Sequence, residues 1–237
     1  MRRVNLLIVV VATLAVAPVT AESVLLAGST NATVVGATGA FVPDGAIGGA
    51  AHAGFSIAGV LQLGFVYGLT YGPQPESRHT EIGMTYSATP LKQSSVIPFS
   101  VQLYGSYMLQ TMESQFLRDA RLEKTGRELR IGLLLARDIV FSRAFSLRLG
   151  AIGRQAYLRS QTDVTFTFNP DQYTGPQPVD YGQYPLSERT ASFMYGGQVA
   201  AIYVAPRGNT VQVGLTALLD RAMAVHLQPT VQLAFRR

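Results

Sequence analysis

The chain of 237 residues contains no cysteine. Disulfides, thiolate metal sites, a cysteine nucleophile and a lipidated N-terminal cysteine are therefore excluded. Charge is scarce as well. Asp, Glu, Lys and Arg make up 14% of the sequence, against roughly 25% in an average soluble domain. Beyond the N-terminus the chain also lacks any apolar run long enough to cross a bilayer as a helix, which takes about 20 residues. Yet the apolar share is 48% and the mean hydropathy is +0.21. Inside lipid only helices and closed barrels satisfy every backbone N–H and C=O. A sequence too apolar for a soluble surface and without spanning helices reads as a barrel.

The N-terminus carries its own pattern. Arg2 and Arg3 precede an apolar run from Leu6 to Ala17, followed by Pro18, Val19, Thr20 and Ala21. A basic start, a short apolar core and small residues at Val19 and Ala21 make residues 1–21 a cleavable signal peptide, with the mature domain spanning 22–237. The competing reading, an anchor helix, fails on length. Cleavage would lower the 19 basic residues by Arg2 and Arg3, against 14 acidic ones, so the basic balance is modest. Nucleic-acid binding has no support.

The positive signal is alternation. In Phe55–Tyr71 (FSIAGVLQLGFVYGLTY) the odd positions hold Ile57, Leu61, Leu63, Phe65, Tyr67, Leu69 and Tyr71. The even ones are mostly small or polar: Ser56, Ala58, Gln62, Gly64, Gly68 and Thr70. Period two is the strand period. The polar face carries Gly, Gln and Thr rather than Lys and Glu, which suits a crowded interior better than open solvent. The same alternation predicts strands over 32–42, 46–55, 61–71, 81–88 (parity inverted), 97–109, 128–136, 145–157, 190–204, 211–219 and 225–235. Ala58-Gly59, Pro43-Asp44-Gly45 and Pro206-Arg207-Gly208-Asn209 are turns by composition. Ten strands result, or eight if the first Gly/Ala-rich hairpin is not part of the wall. With both termini on one side, the connections at 72–80, 111–126 and 159–189 fall outside, and those at 56–60, 137–143 and 205–210 inside. Long outside and short inside, with 89–96 as a middling inner exception, is the outer-membrane asymmetry.

Aromatic placement adds to this. Phe55, Phe99, Phe145, Tyr203 and Phe235 fall at inner strand ends, and Tyr71, Tyr107, Tyr157 and Phe193 toward outer ends, as two interfacial girdles would. On these patterns nearly everything after Ala21 resembles a small bacterial outer-membrane β-barrel, porin-like and of eight to ten strands. The resemblance rests on pattern rather than on a family motif. It implies a Gram-negative outer membrane, contact with lipid and lipopolysaccharide, and insertion by the barrel-assembly machinery. Many such barrels end on an aromatic residue, whereas here Phe235 is followed by Arg236 and Arg237.

The lumen would then receive Glu81, Glu128, Arg130, Arg148, Arg154, His52, Gln102 and His226, with Gln198, Gln212, Gln228 and Gln232. A simple turn at 137–143 would set Glu128 against Arg154. Such a lining is either a polar plug or a narrow anion-favouring pore, because eight to ten strands enclose little more than side chains. Arg118, Arg121, Lys124 and Arg127, in or beside an outer loop, are candidate contacts for lipopolysaccharide phosphates. Balanced by Glu113, Asp119 and Glu123, they are equally a solvated loop. Tyr173, Tyr181 and Tyr184 in the long 159–189 loop suit surface contacts.

The expected role is structural or surface-interactive, without a cofactor or metal and without catalysis. Two alternatives stay open. One is a barrel enzyme, a lipid A-modifying hydrolase or protease, using His79 or His226 with Glu81 or Asp220 at the outer rim. No nucleophile motif, metal-spaced histidine pair or phosphate-cradling loop supports it. The other is a secreted, lipocalin-like soluble barrel with the apolar face turned inward and a small apolar ligand inside.

Overall fold

A computed structural model describes residues 31–43, 45–72, 77–114, 117, 122–165 and 183–236. The expected signal peptide, 1–21, and the residues up to Thr30 lie outside the described residues. Ten strands follow in order: β1 Ala32–Phe41, β2 Ile47–Ile57, β3 Leu61–Tyr71, β4 Arg78–Leu91, β5 Ser100–Glu113, β6 Leu122–Val140, β7 Phe145–Thr165, β8 Gln183–Val204, β9 Thr210–Leu219 and β10 Val225–Arg236. Each pairs antiparallel with its neighbour in sequence, and β1 pairs with β10, closing the barrel. The strand count among the described residues is therefore ten, with the Gly/Ala-rich β1 and β2 both part of the wall and β1 meeting β10 at the seam.

Local chemistry sets the register. Ala58 and Gly59 both take positive φ, 50° and 58°, and Val60 N–H donates to Ile57 C=O at 2.9 Å. Positive φ at both central positions of Ile57–Val60 is the pattern of a type I′ turn, whose twist matches the flanking strands, and Val60 makes the loop between the paired Ile57 and Leu61 three residues long. Gly59 meets that demand without strain, whereas Ala58 does so at a cost. From this turn β2 and β3 pair without a break, from Ile57↔Leu61 up to Ile47↔Tyr71. On the outer wall Tyr86 lies over Gly105, its cross-strand partner, where a Cβ would meet the ring. An aromatic laid over a strand glycine restores the packing that the missing side chain forfeits.

The wall is inverted relative to a soluble barrel. Phe65 (65% exposed), Ile82, Met84, Leu103, Ile131, Leu133, Val213 and Val231 all face out, while Gln102, Arg130, Arg148, Gln212 and Gln232 face in and are buried. Each large apolar side chain left in water forgoes about 1.5–3 kcal/mol, so a wall built of them belongs in lipid. The soluble, lipocalin-like alternative required the opposite polarity and is overturned. The residues expected as girdles, Phe55, Phe99, Phe145, Tyr203, Phe235, Tyr71, Tyr107 and Tyr157, all lie on this outer face, 42–57% exposed. Phe55 and Phe235 flank Thr33 in one row, and Phe145 is opposite Tyr203 in another.

The strands are unequal. β1, β2, β3, β9 and β10 have 10–12 residues, close to the 9–11 that a tilted crossing needs. β6, β7 and β8 have 19, 21 and 22. The expected loops at 111–126 and 159–189 are thus partly strand: β5 continues to Glu113, β6 starts at Leu122, and β7 and β8 pair from Phe145↔Tyr203 up to Thr165↔Gln183. Beyond the bilayer neither face has to be apolar, so the alternation that marks a membrane strand fades while the backbone pairing goes on.

Candidate functional site: the lumen and the outer rim

Three levels of the lumen hold charge. At the inner mouth, Asp138 on β6 is the cross-strand partner of Arg148 on β7. The guanidinium donates from Nε to Asp138 Oδ1 at 2.7 Å and from Nη2 to Oδ2 at 2.8 Å. This two-pronged pairing holds a fully buried arginine, 0% exposed. Asp138 was expected in a turn. The hairpin instead closes at Phe141–Phe145, with Phe141 and Ser142 N–H both donating to Phe145 C=O, so β6 runs on through Asp138.

That displaced turn also corrects the pairing of Glu128 with Arg154. Glu128 is opposite Leu158, and Arg154 is opposite Gly132. At mid-barrel, Arg130 donates to Glu128 Oε2 and, at 3.5 Å, to Glu81 Oε2, while Gln110 Nε2 donates to the same Glu128 oxygen. Arg154 Nη2 contacts Met194 Sδ at 2.9 Å. Isolated charges here would each cost several kcal/mol, so an interlocked set of carboxylates and guanidinium is the form in which they are tolerated. Gly132 leaves the space into which the Tyr104 ring packs, since a Cβ there would strike that ring. Tyr104, Leu134, Ala136, Ile152, Met194 and Leu218 form an apolar cluster within the same lumen.

At the outer mouth, His79 and Lys124 line a small concavity with Gly72, Ser77, Arg78, Met112, Glu113, Ser114 and Leu117. Lys124 was expected in an outer loop. It lies on β6 facing inward, 3% exposed, and its Nζ has no hydrogen-bond partner among the described residues. Arg127 faces outward on the same strand. Arg118 and Arg121, with Asp119, Tyr173 and Tyr181, lie outside the described residues. His52 is buried between strands opposite Gly36, and Gln102 is 1% exposed.

The remaining histidine closes a turn. His226 Nε2 is 3.1 Å from Asp220 Oδ2, while Asp220 Oδ1 accepts from Ala222 N–H at 2.8 Å and Ala224 N–H at 2.9 Å. Partial burial pushes the Asp220 carboxyl up, but the hydrogen bonds from His226, Ala224 and Ala222 outweigh it and hold the group below its ordinary value. One carboxylate oxygen is thus committed to the β9–β10 turn. Among the described residues no cluster of three His, Asp or Glu side chains could hold a metal ion. Asp138 and the Gln110 amide escaped the sequence reading. Only the true length of the β6–β7 turn would have revealed the first.

A closed antiparallel barrel with an apolar outer wall and a charged, packed interior defines the class by its fold: this chain has the architecture of a transmembrane β-barrel of the outer-membrane kind. Within that class it is a small barrel of ten strands.

No family model and no curated protein matches the sequence. Among solved structures it is similar to the β domain of the Bordetella autotransporter BrkA, at 9% identity and a TM-score of 0.46, over 88% of this chain and 100% of that one. It is likewise similar to the translocator domain of the autotransporter NalP from Neisseria meningitidis, at 8% identity and a TM-score of 0.47, over 89% of each chain. A third similar structure is Ail, the attachment invasion locus protein of Yersinia pestis, at 7% identity and a TM-score of 0.39, over 89% of this chain and 99% of that one. These likenesses concern overall architecture only.

Proposed function

We propose that this barrel is a closed membrane anchor that presents the β6–β8 extension at the cell surface, where the extension meets its partners. The observation that carries the reading is the inequality of the wall. β8 pairs with β9 only from Tyr195 onward. Gln183–Met194 therefore has no neighbouring strand on the β9 side among the described residues. An open strand edge is a template for pairing with another chain, and the exposed Arg189, Thr190, Ala191 and Ser192 put both faces of 189–192 in solvent.

The packed lumen supports an anchor over an anion pore. Arg130, Arg148, Gln102, Gln212 and Gln232 are each below 2% exposed, and Arg130 and Arg148 are held by carboxylates rather than lining a water path. For catalysis, the His226–Asp220 pair is the feature among the described residues that favours a second reading. Asp220 Oδ1 is committed to the turn by two backbone N–H groups, and the pair takes a structural role.

The absence of cysteine makes the test clean. Ser187→Cys on the extension and Ser142→Cys in an inner turn are each labelled on intact cells with a membrane-impermeant maleimide. Labelling of the first alone is expected. Labelling of Ser142→Cys alone, or of neither until the cells are broken, would overturn the reading.

A further inference from the structure

On the outer wall Arg127, Arg159 and Arg189 are consecutive cross-strand partners on β6, β7 and β8. All three are exposed and face away from the lumen. None has an ion-pair partner among the described residues. Neighbouring strands are about 4.8 Å apart, so three guanidinium-bearing residues lie within about 10 Å. Like charges directly opposite one another destabilise a sheet. Such a row is tolerable where an anion sits against it.

The neighbouring rows say where the anion comes from. One lipid-facing step toward the inner side, the partners are Leu129, Tyr157 and Ala191. Leu129 and Tyr157 are large, exposed and on the girdle face. One step further out, the partners are Thr125, Gln161 and Ser187, and beyond those Glu123 is opposite Asp163. From Phe145 in the inner girdle to Tyr157 in the outer one the strand advances about 3.3 Å per residue, which at barrel tilt covers the roughly 25 Å apolar band. Arg159 therefore stands at the headgroup level. The order outward is apolar, basic, then hydroxyl and amide. A concavity in the wall at this height is lined by Leu109, Thr111, Thr125, Arg127, Arg159 and Gln161, among others.

We propose that the Arg127–Arg159–Arg189 row binds the phosphate groups of the phosphorylated glycolipid of the outer leaflet, the lipid A part of lipopolysaccharide. The planar guanidinium fork matches phosphate oxygens two at a time. Thr125 and Gln161 stand directly above the arginines, at the level of the sugar hydroxyls, while Leu129 and Tyr157 stand below, along the acyl chains. The site depends on the barrel standing with its β6–β8 extension outward, which the cysteine labelling above tests separately.

The test is native mass spectrometry of the folded, detergent-solubilised full chain. It is titrated with bisphosphorylated lipid A, with the same lipid dephosphorylated, and with inorganic phosphate. The bisphosphorylated lipid is expected to bind at least about tenfold tighter than the dephosphorylated one, the equivalent of a single charge-assisted contact. The triple variant Arg127→Gln, Arg159→Gln, Arg189→Gln should lose that preference, and Arg143→Gln, in an inner turn, should keep it. If the triple variant does not fold, Arg159→Gln alone is read by the same titration, with about a threefold loss expected. Equal binding of the dephosphorylated lipid, or an unchanged preference in the arginine variants, would overturn the proposal. Inorganic phosphate binding as tightly as the lipid would overturn the assignment to a lipid.

Discussion

Arg148 and Asp138 meet across the β6–β7 hairpin through two parallel hydrogen bonds, and the arginine is wholly buried while Asp138 is 27% exposed. The pair lies at the end of the lumen beside the β6–β7 turn. Asp138→Ala leaves a buried guanidinium without its anion. Because Asp138 is partly exposed, the expected loss is below the full cost of breaking a buried pair, at about 2–3 kcal/mol. Reversible urea unfolding in lipid vesicles measures it. Asp138→Asn with Arg148→Met, which removes the charges together, should recover most of the loss.

Gly132 and Tyr104 make a prediction of coupling. A Cβ at position 132 would strike the tyrosine ring, so Gly132→Ala should cost about 1–3 kcal/mol by overpacking. In a Tyr104→Ala background the same change should cost almost nothing. The double-mutant cycle therefore predicts an interaction energy of about 1 kcal/mol or more.

Ala58 occupies a left-handed position that suits Asn or Gly better. Ala58→Asn creates the Asn-Gly pair favoured by type I′ turns and should raise stability by about 0.5–1 kcal/mol. Unfolding in the same vesicles reads the gain.

Asp220 carries a dependence on pH. Its carboxyl is held below the ordinary value of 3.8 in the folded turn. A carboxyl depressed on folding stabilises the folded state fully above the unfolded value and loses that contribution as pH falls through the folded one. The β9–β10 turn should therefore keep its hydrogen-exchange protection down to about pH 4 and lose it below. Asp220→Asn should flatten this dependence, with protection already reduced at pH 7.

The alternating stretches were legible because lipid on one side and a crowded lumen on the other impose opposite demands on successive residues. Leu61–Tyr71 and Phe145–Tyr157 show this plainly, and Ala58-Gly59 marks its own turn. Three things were not legible. The pairing of Glu128 depended on where the β6–β7 hairpin closes, and Arg137–Val140 reads equally well as turn or strand. The outer ends of β6, β7 and β8 lack an apolar period because both faces leave the bilayer. The arginine row was visible only in part: Arg127 stood out, but Arg159 and Arg189 lay at the edges of an apparent loop. Their alignment is a property of register across three strands, which residue types do not encode.

The central claim is that charges and side chains fill the barrel and close it. Single-channel recording of the purified protein in planar bilayers tests this most directly. The variant Glu81→Ala, Glu128→Ala, Arg130→Ala, which removes the interlocked charges as a set, serves as the conducting control. The packed lumen predicts no conductance steps from the wild type and steps from that variant. Steady steps from the wild type, above all with preference for anions, would contradict it.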